Sequence, residues 1–352
     1  MPFHPHPFQF FSMSFLLRLC ALAAATATLA PAAELPPLPD AVTSFGGVIS
    51  QGRLYTYGGH LAGAHSWSLE TTSGKLRALD LQQPTTWVEL PGGPPVQSPG
   101  LTEANGKIYL VGGMQPQNEK GKPAVLKSLD HALVYDPAAK TWTDLPKLPA
   151  ARSSHDIAVL DGKLYVVGGW PLDTSKDAPD KEADDRHEVR AFHNTALVLD
   201  LANPSSGWQS LPQPFERRAL ALVPNGGKLY AIGGMDAKNE LSNAVDVYDV
   251  ASKSWSKIQD LPAEGKVKSF AVAACSLDGR VIASPRGGKI FALGTDNTWS
   301  EVAKLSGSRF FHQLEPWNHS VIALGGTTGD KPLNTVEIVT IPEPTKTVGK
   351  AD

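Results

Sequence analysis

The chain has 352 residues, 41% of them hydrophobic, which is enough to bury a large core. Its formal charge of −3 is spread over both signs with no basic block, which excludes a surface built to track a phosphate backbone, so no nucleic-acid partner is expected. Gly (32) and Pro (29) are plentiful, a composition suited to many short strands joined by tight turns.

The first predicted element is an export signal. Phe15 to Ala30 reads FLLRLCALAAATATLA and runs into Ala30-Pro31-Ala32, an A-x-A type cleavage site. Residues 1–33 are therefore expected to be removed on export to the periplasm or beyond, with Met13 as an alternative start. Arg18 interrupts the apolar run, which falls short of the about 20 residues of an uninterrupted span, so no transmembrane segment is expected in the mature chain. Leu19 before Cys20 does not suit a lipoprotein. Loss of residues 1–33 leaves 31 basic against 35 acidic residues, a charge of −4. Only Cys275 then remains, so no intramolecular disulfide can form and the fold rests on its core.

Beyond the signal one pattern recurs: a turn, an apolar strand ending in Gly-Gly, a variable loop, a further strand, and a Trp before Leu-Pro. GRLYTYGG ends at Gly59, GKIYLVGG at Gly113, GKLYVVGG at Gly169, GKLYAIGG at Gly234 and SVIALGG at Gly326. The accompanying tryptophans are Trp87, Trp142, Trp208, Trp255 and Trp299. Strands such as Lys163 to Val167 are apolar on both faces, as expected where sheet packs on sheet from both sides. Gly-Gly permits backbone angles that other residues resist, Trp supplies a large apolar plate, and the Pro after it ends a ladder.

The segment Ala132 to Gly169, ALVYDPAAKTWTDLPKLPAARSSHDIAVLDGKLYVVGG, resembles a Kelch repeat along its whole length. The resemblance covers roughly residues 35–340 and implies an all-β fold: a six-bladed Kelch-type β-propeller with four-stranded antiparallel blades around a central channel. Blades are expected at about 42–90, 96–146, 152–212, 217–262 and 266–305, with the last from Arg309 to near Ile341. The fifth is degenerate and loses its Gly-Gly at Ala283-Ser284. The sixth lacks an outer Trp strand. Glu34-Leu35-Pro36-Pro37-Leu38-Pro39 matches the Leu-Pro run that closes other blades, so an N-terminal strand is expected to complete the ring over residues 34–342. Residues 343–352 read as a polar, flexible tail.

In such a meander, the loops after Gly-Gly and the crossings between blades share one face, so both line one channel mouth. That rule makes His60, Trp67, Arg152, His155, Trp170, Arg218, Arg309 and His312 the candidate ligand-binding residues. Arg152 with His155 and Arg309 with His312 recur at one repeat position. They suit either backbone carbonyls between blades or a basic mouth for a carboxylate or sugar. Arg217 matches that position too, and Arg218 is the residue out of pattern. The charged insertion Pro171 to Asn194 is expected to lie over the mouth as a loop, with no EF-hand spacing among its acids. His60 and His65 are five apart without a third ligand, and no metal or cofactor is expected.

These features point to a monomeric binding module for a protein or glycan on the channel face. The last blade, Glu315 to Thr340, is also similar to the closing repeat of bacterial sialic acid mutarotases. That resemblance implies a sugar mutarotase or epimerase as the alternative, since mutarotation moves protons between the ring oxygen and the anomeric hydroxyl. The family's proposed functional Glu and Arg follow the fourth repeat's glycines. Met235 and Leu241 stand there in this chain, with Glu240 out of register. A copper oxidase of the galactose oxidase type needs a Cys–Tyr crosslink, and Cys275 sits alone in a core-like strand.

Overall fold

The computed structural model describes residues 1–3, 34–175, 191–329 and 331–343. The expected signal, most of the charged insertion and the tail lie outside the described residues. Among the described residues no helix is long and apolar enough to cross a membrane.

The described residues between 34 and 343 form a six-bladed β-propeller. Blade 1 runs Gly46–Ser50, Arg53–Tyr57, Leu76–Asp80 and Val88–Leu90. Blade 2 runs Gly100–Ala104, Lys107–Val111, Ala132–Asp136 and Thr141–Asp144. Blade 3 runs Ser153–Leu160, Lys163–Trp170, Thr195–Asp200 and Gln209–Pro212. Blade 4 runs Ala221–Asn225, Lys228–Ile232, Val245–Asp249 and Ser254–Ile258. Blade 5 runs Ala273–Leu277, Arg280–Ser284, Lys289–Leu293 and Trp299–Lys304. Blade 6 has the three strands Gln313–Trp317, Ser320–Leu324 and Val336–Thr340. Every ladder is antiparallel.

The apolar strands behave as a two-sided sheet requires. Leu164 and Val166 face the cluster shared with blade 2, and Tyr165 and Val167 face the one shared with blade 4. The core is thus divided into clusters that each sit between two blades.

The N-terminal segment closes the ring, though as an extended segment and not as the regular strand expected. The Leu38 N–H donates to Asn334 O at 2.8 Å and the Val42 N–H to Leu333 O at 3.0 Å. Leu35 and Leu38 join Ile322, Leu324 and Val336 in the cluster between blades 6 and 1. Its proline-rich sequence explains the missing ladder, because Pro has no N–H to give. The indole N–H of each outer-strand Trp donates to a carbonyl of the preceding blade: Trp142 to Pro91 O at 2.9 Å, Trp208 to Pro146 O at 2.7 Å and Trp255 to Pro212 O at 2.8 Å. Trp87 does the same to Pro36 O at 3.2 Å, so Pro36 occupies the closing place of blade 6.

The Gly-Gly pairs are needed twice over. Both glycines of each pair have positive φ. A Cβ on Gly112 would also lie 2.3 Å from Arg152 O, and one on Gly233 2.4 Å from Ser269 O. The second glycine then donates across the same gap, Gly113 N–H to Arg152 O at 2.9 Å and Gly234 N–H to Ser269 O at 3.0 Å.

Candidate functional site

Each blade begins with three residues in fixed register, and the register decides what each side chain can do. The first position holds Val42, Val96, Arg152, Arg217, Ser269 and Arg309. The second holds Thr43, Gln97, Ser153, Arg218, Phe270 and Phe310. The third holds Ser44, Ser98, Ser154, Ala219, Ala271 and Phe311, all left-handed with φ between 47° and 54°.

The third positions form a ring of backbone around the channel. Ser98 N–H donates to Ser44 O (2.6 Å), Ser154 to Ser98 (3.2 Å), Ala219 to Ser154 (2.7 Å), Ala271 to Ala219 (2.9 Å) and Phe311 to Ala271 (3.3 Å). Blade 6 is tied back to blade 1 by the Gln313 side-chain N–H, 2.5 Å from Phe45 O. The ring separates a mouth cavity of about 370 Å³ from a chamber of about 110 Å³, and Ser44, Ser98, Ser154 and Phe311 line both.

First-position arginines face into the blades. Arg152, 1% exposed, donates to Gly168 O at 2.9 Å and Thr195 O at 3.0 Å. Arg217 donates to Gly233 O and Ala244 O and is paired with buried Asp246. Arg309 reaches Glu337 at 3.1 Å. Of the eight sequence candidates, Arg152 and Arg309 therefore lie outside the mouth and hold loop carbonyls and an acid. The two arginines are absorbed because each Gly-Gly turn leaves inward carbonyls that need a donor.

His155 and His312 line the chamber below the ring, not the mouth. Both are buried, and burial lowers their basicity, to about 3 for His312, with the neighbouring arginines adding to the effect. Both imidazoles are therefore neutral at physiological pH.

The remaining four candidates, His60, Trp67, Trp170 and Arg218, all line the mouth cavity. His60 follows its Gly-Gly and bridges Thr43, as Met114 bridges Gln97 and Thr327 bridges Phe310. Burial lowers the His60 pKa, partly offset by the Gln97 side chain and the Ser66 carbonyl. Gln97 is fixed in turn by donating to Thr72 Oγ at 3.0 Å. The Arg218 guanidinium lies over the Trp170 ring at 4.3 Å and nears Phe270 at 5.4 Å and Phe192 at 5.9 Å. Trp170 packs with Leu126, Leu172 and Phe192 in a small cluster beneath the mouth, with Trp67 and Met114 against it. Leu172 and Phe192 come from the ends of the charged insertion, whose overall polarity hid them. Phe310 and Phe311, at the start of the last blade, also line the mouth, as do Gln97 and Phe270, whose second register position shows only once the six starts are aligned.

Below the chamber a further cavity of about 290 Å³ opens between the inner strands. Asp156 and Glu315 face it from blades 3 and 6. Asp156 accepts from Leu222 N–H of blade 4 at 2.7 Å and from Ile157 N–H at 2.9 Å. Burial raises Asp156 to about 7. Burial, then the nearby Asp156 charge, raises Glu315 to about 8. The buried Cys275 thiol beside them is pushed well up by burial. Among the described residues no three His, Cys, Asp or Glu side chains converge as a metal group.

The positions of the mutarotase Glu and Arg hold an apolar pair. Met235 bridges Leu241, and neither lines the mouth. Glu240 is exposed, with its N–H on Asp236.

The Kelch motif is matched at residues 98–149 and 216–262. Over 377 aligned residues the chain is 27% identical to the N-acetylneuraminate epimerase of Pasteurella multocida (strain Pm70), covering 91% of this chain and 95% of that protein. The N-acetylneuraminate epimerase of Escherichia coli (strain K12) is 24% identical over 94% of this chain and 98% of its own length. Kelch-like protein 35 of Mus musculus is 26% identical over 70% of this chain, which spans only 35% of that protein. The solved structure of YjhT superposes with a TM-score of 0.68 at 20% identity, over 87% of this chain and 97% of that one, and supports the same fold. The chain is a Kelch-type propeller that resembles the N-acetylneuraminate epimerases over nearly its whole length.

Proposed function

We propose that this propeller is an exported binding module whose mouth cavity holds an acidic sugar of the N-acetylneuraminate class. One observation carries the reading: Arg218, a permanent cation, is stacked on Trp170 in the wall of a cavity that also presents His60, Gln97 and Trp67. A guanidinium matches the geometry of a carboxylate. Aromatic faces suit the C–H side of a sugar ring, and a neutral imidazole with a fixed amide suits its hydroxyls.

Calorimetric titration tests this with N-acetylneuraminate and the neutral sugar N-acetylmannosamine. The acid is expected to bind and the neutral sugar to bind far more weakly. Arg218→Met should weaken the acid by roughly tenfold or more, the scale of a hydrogen bond to a charged group. Equal binding of both sugars would overturn the reading.

The relatives favour a second one. N-acetylneuraminate epimerases align with more than nine-tenths of this chain, so the same site could interconvert anomers. Met235 and Leu241 supply no acid and base for it, which leaves the proton transfers to other groups of the mouth. Anomer exchange followed by NMR, faster with the protein than in buffer, would favour this reading. Export is part of the proposal, and N-terminal sequencing of the secreted chain checks it by starting near residue 34.

A further inference from the structure

The mouth continues past the cavity. Arg218 lies 5.4 Å from the Phe270 ring, Phe270 meets Phe311 edge-on at 5.4 Å, and Phe311 meets Phe310 at 5.0 Å. At the far end the Arg286 guanidinium lies over Phe310 at 4.5 Å. The result is a strip of three half-buried phenyl rings with a cation at each end, running from blade 4 to blade 6.

Arg286 owes its place to the degenerate blade. Where the other blades have Gly-Gly after the second strand, blade 5 has Pro285-Arg286, and not Ala283-Ser284 as the sequence suggests, because Ala283 and Ser284 still belong to that strand. Its guanidinium donates to Thr328 O at 3.2 Å in the last blade's loop, which anchors it beside Phe310. Phe311 is the one large side chain among the six left-handed positions of the ring, where the other blades place Ser or Ala. A bulky residue at positive φ is costly, and such strain persists where the surroundings impose it. Two departures from the repeat, in neighbouring blades, thus build a single surface.

We propose that this strip is a second subsite, and that the mouth takes an acidic oligosaccharide with one carboxylate at Arg218 and another at Arg286. The phenyl rings between the two cations offer stacking faces for the intervening sugar carbons, and the charges at both ends match a ligand of repeated acidic units. This inference rests on the acidic-sugar reading of the cavity and adds the length of the ligand to it.

The test is calorimetry on the full chain with N-acetylneuraminate and with its α2,8-linked dimer. The dimer is expected to bind at least tenfold more tightly than the monomer. Arg286→Ala should erase that advantage and leave monomer affinity unchanged, which also shows that the variant folds. A dimer no tighter than the monomer, or an Arg286→Ala loss shared equally by both, would overturn the second subsite while leaving the first. Binding of the dimer alone would overturn the monosaccharide reading and support the strip. If neither ligand binds, both proposals fail.

Discussion

Asp156 and Glu315 show how one side chain can set a property of the whole chain. Carboxyl groups in an unfolded chain titrate near about 4. In the fold, burial holds Asp156 to about 7 and Glu315 to about 8. Between those limits the folded chain keeps protons that the unfolded chain has released, so stability falls as pH rises across the window. Below about 4 neither group matters, and above about 8 the loss is complete. Glu315→Gln cannot ionise, so its urea midpoint should gain on the wild type between pH 5 and pH 9. A difference that stays flat with pH would mean that Glu315 ionises at its ordinary value. Neither acid stood out in the sequence, because a single Asp in HDIAVL or a Glu in QLEPW looks like any solvent-facing residue of a strand. The channel alone decides that these two face inward. Arg217 and Arg218 were legible for the opposite reason: the repeat register tells the two neighbours apart, and it sends one into blade 4 and the other to the mouth.

At the level of the strand and its turn, the sequence was far more readable. The Gly-Gly ends and the tryptophans mark second and outer strands, because each does one job that few residues can do. The turns also permit a graded test. Gly112 has φ +56° and Arg152 O in the place of its Cβ, whereas Gly162 has φ +70° and nothing within 4 Å. Gly162→Ala should therefore cost about 1 kcal/mol, the price of the left-handed backbone alone. Gly112→Ala should cost roughly 3 kcal/mol or more, since the next blade's backbone must move. Equal losses in denaturant titrations of the two variants would show that the blade gap is softer than its geometry. The charged insertion is where reading by element gave out. Its composition says loop, yet Leu172 and Phe192 at its two ends are buried under the mouth.

For the propeller as a whole, stability depends on closure, because each blade buries its faces only against its neighbours. The segment from Leu35 to Val42 packs between blades 6 and 1 and is hydrogen-bonded to Leu333 and Asn334, and Leu38 within it is 3% exposed. Leu38→Ala should cost about 2–5 kcal/mol. Hydrogen exchange should then rise first in residues 313–341 and 46–90, the two blades that this segment joins. Uniform exchange around the ring would show that the segment is a passive strap. The blade count and the N-terminal closure could both be read from repeats, while the division of labour along the channel could not.

That division rests on the ring of left-handed residues. Five of its links are main-chain groups repeated blade by blade and the sixth is the Gln313 side chain, so its bore follows mainly from the number of blades. What the mouth selects is therefore set by its rim and by Phe311, the one ring position with a large side chain. The two acids line the cavity beneath, so the two sides of the ring can evolve separate chemistries on one scaffold.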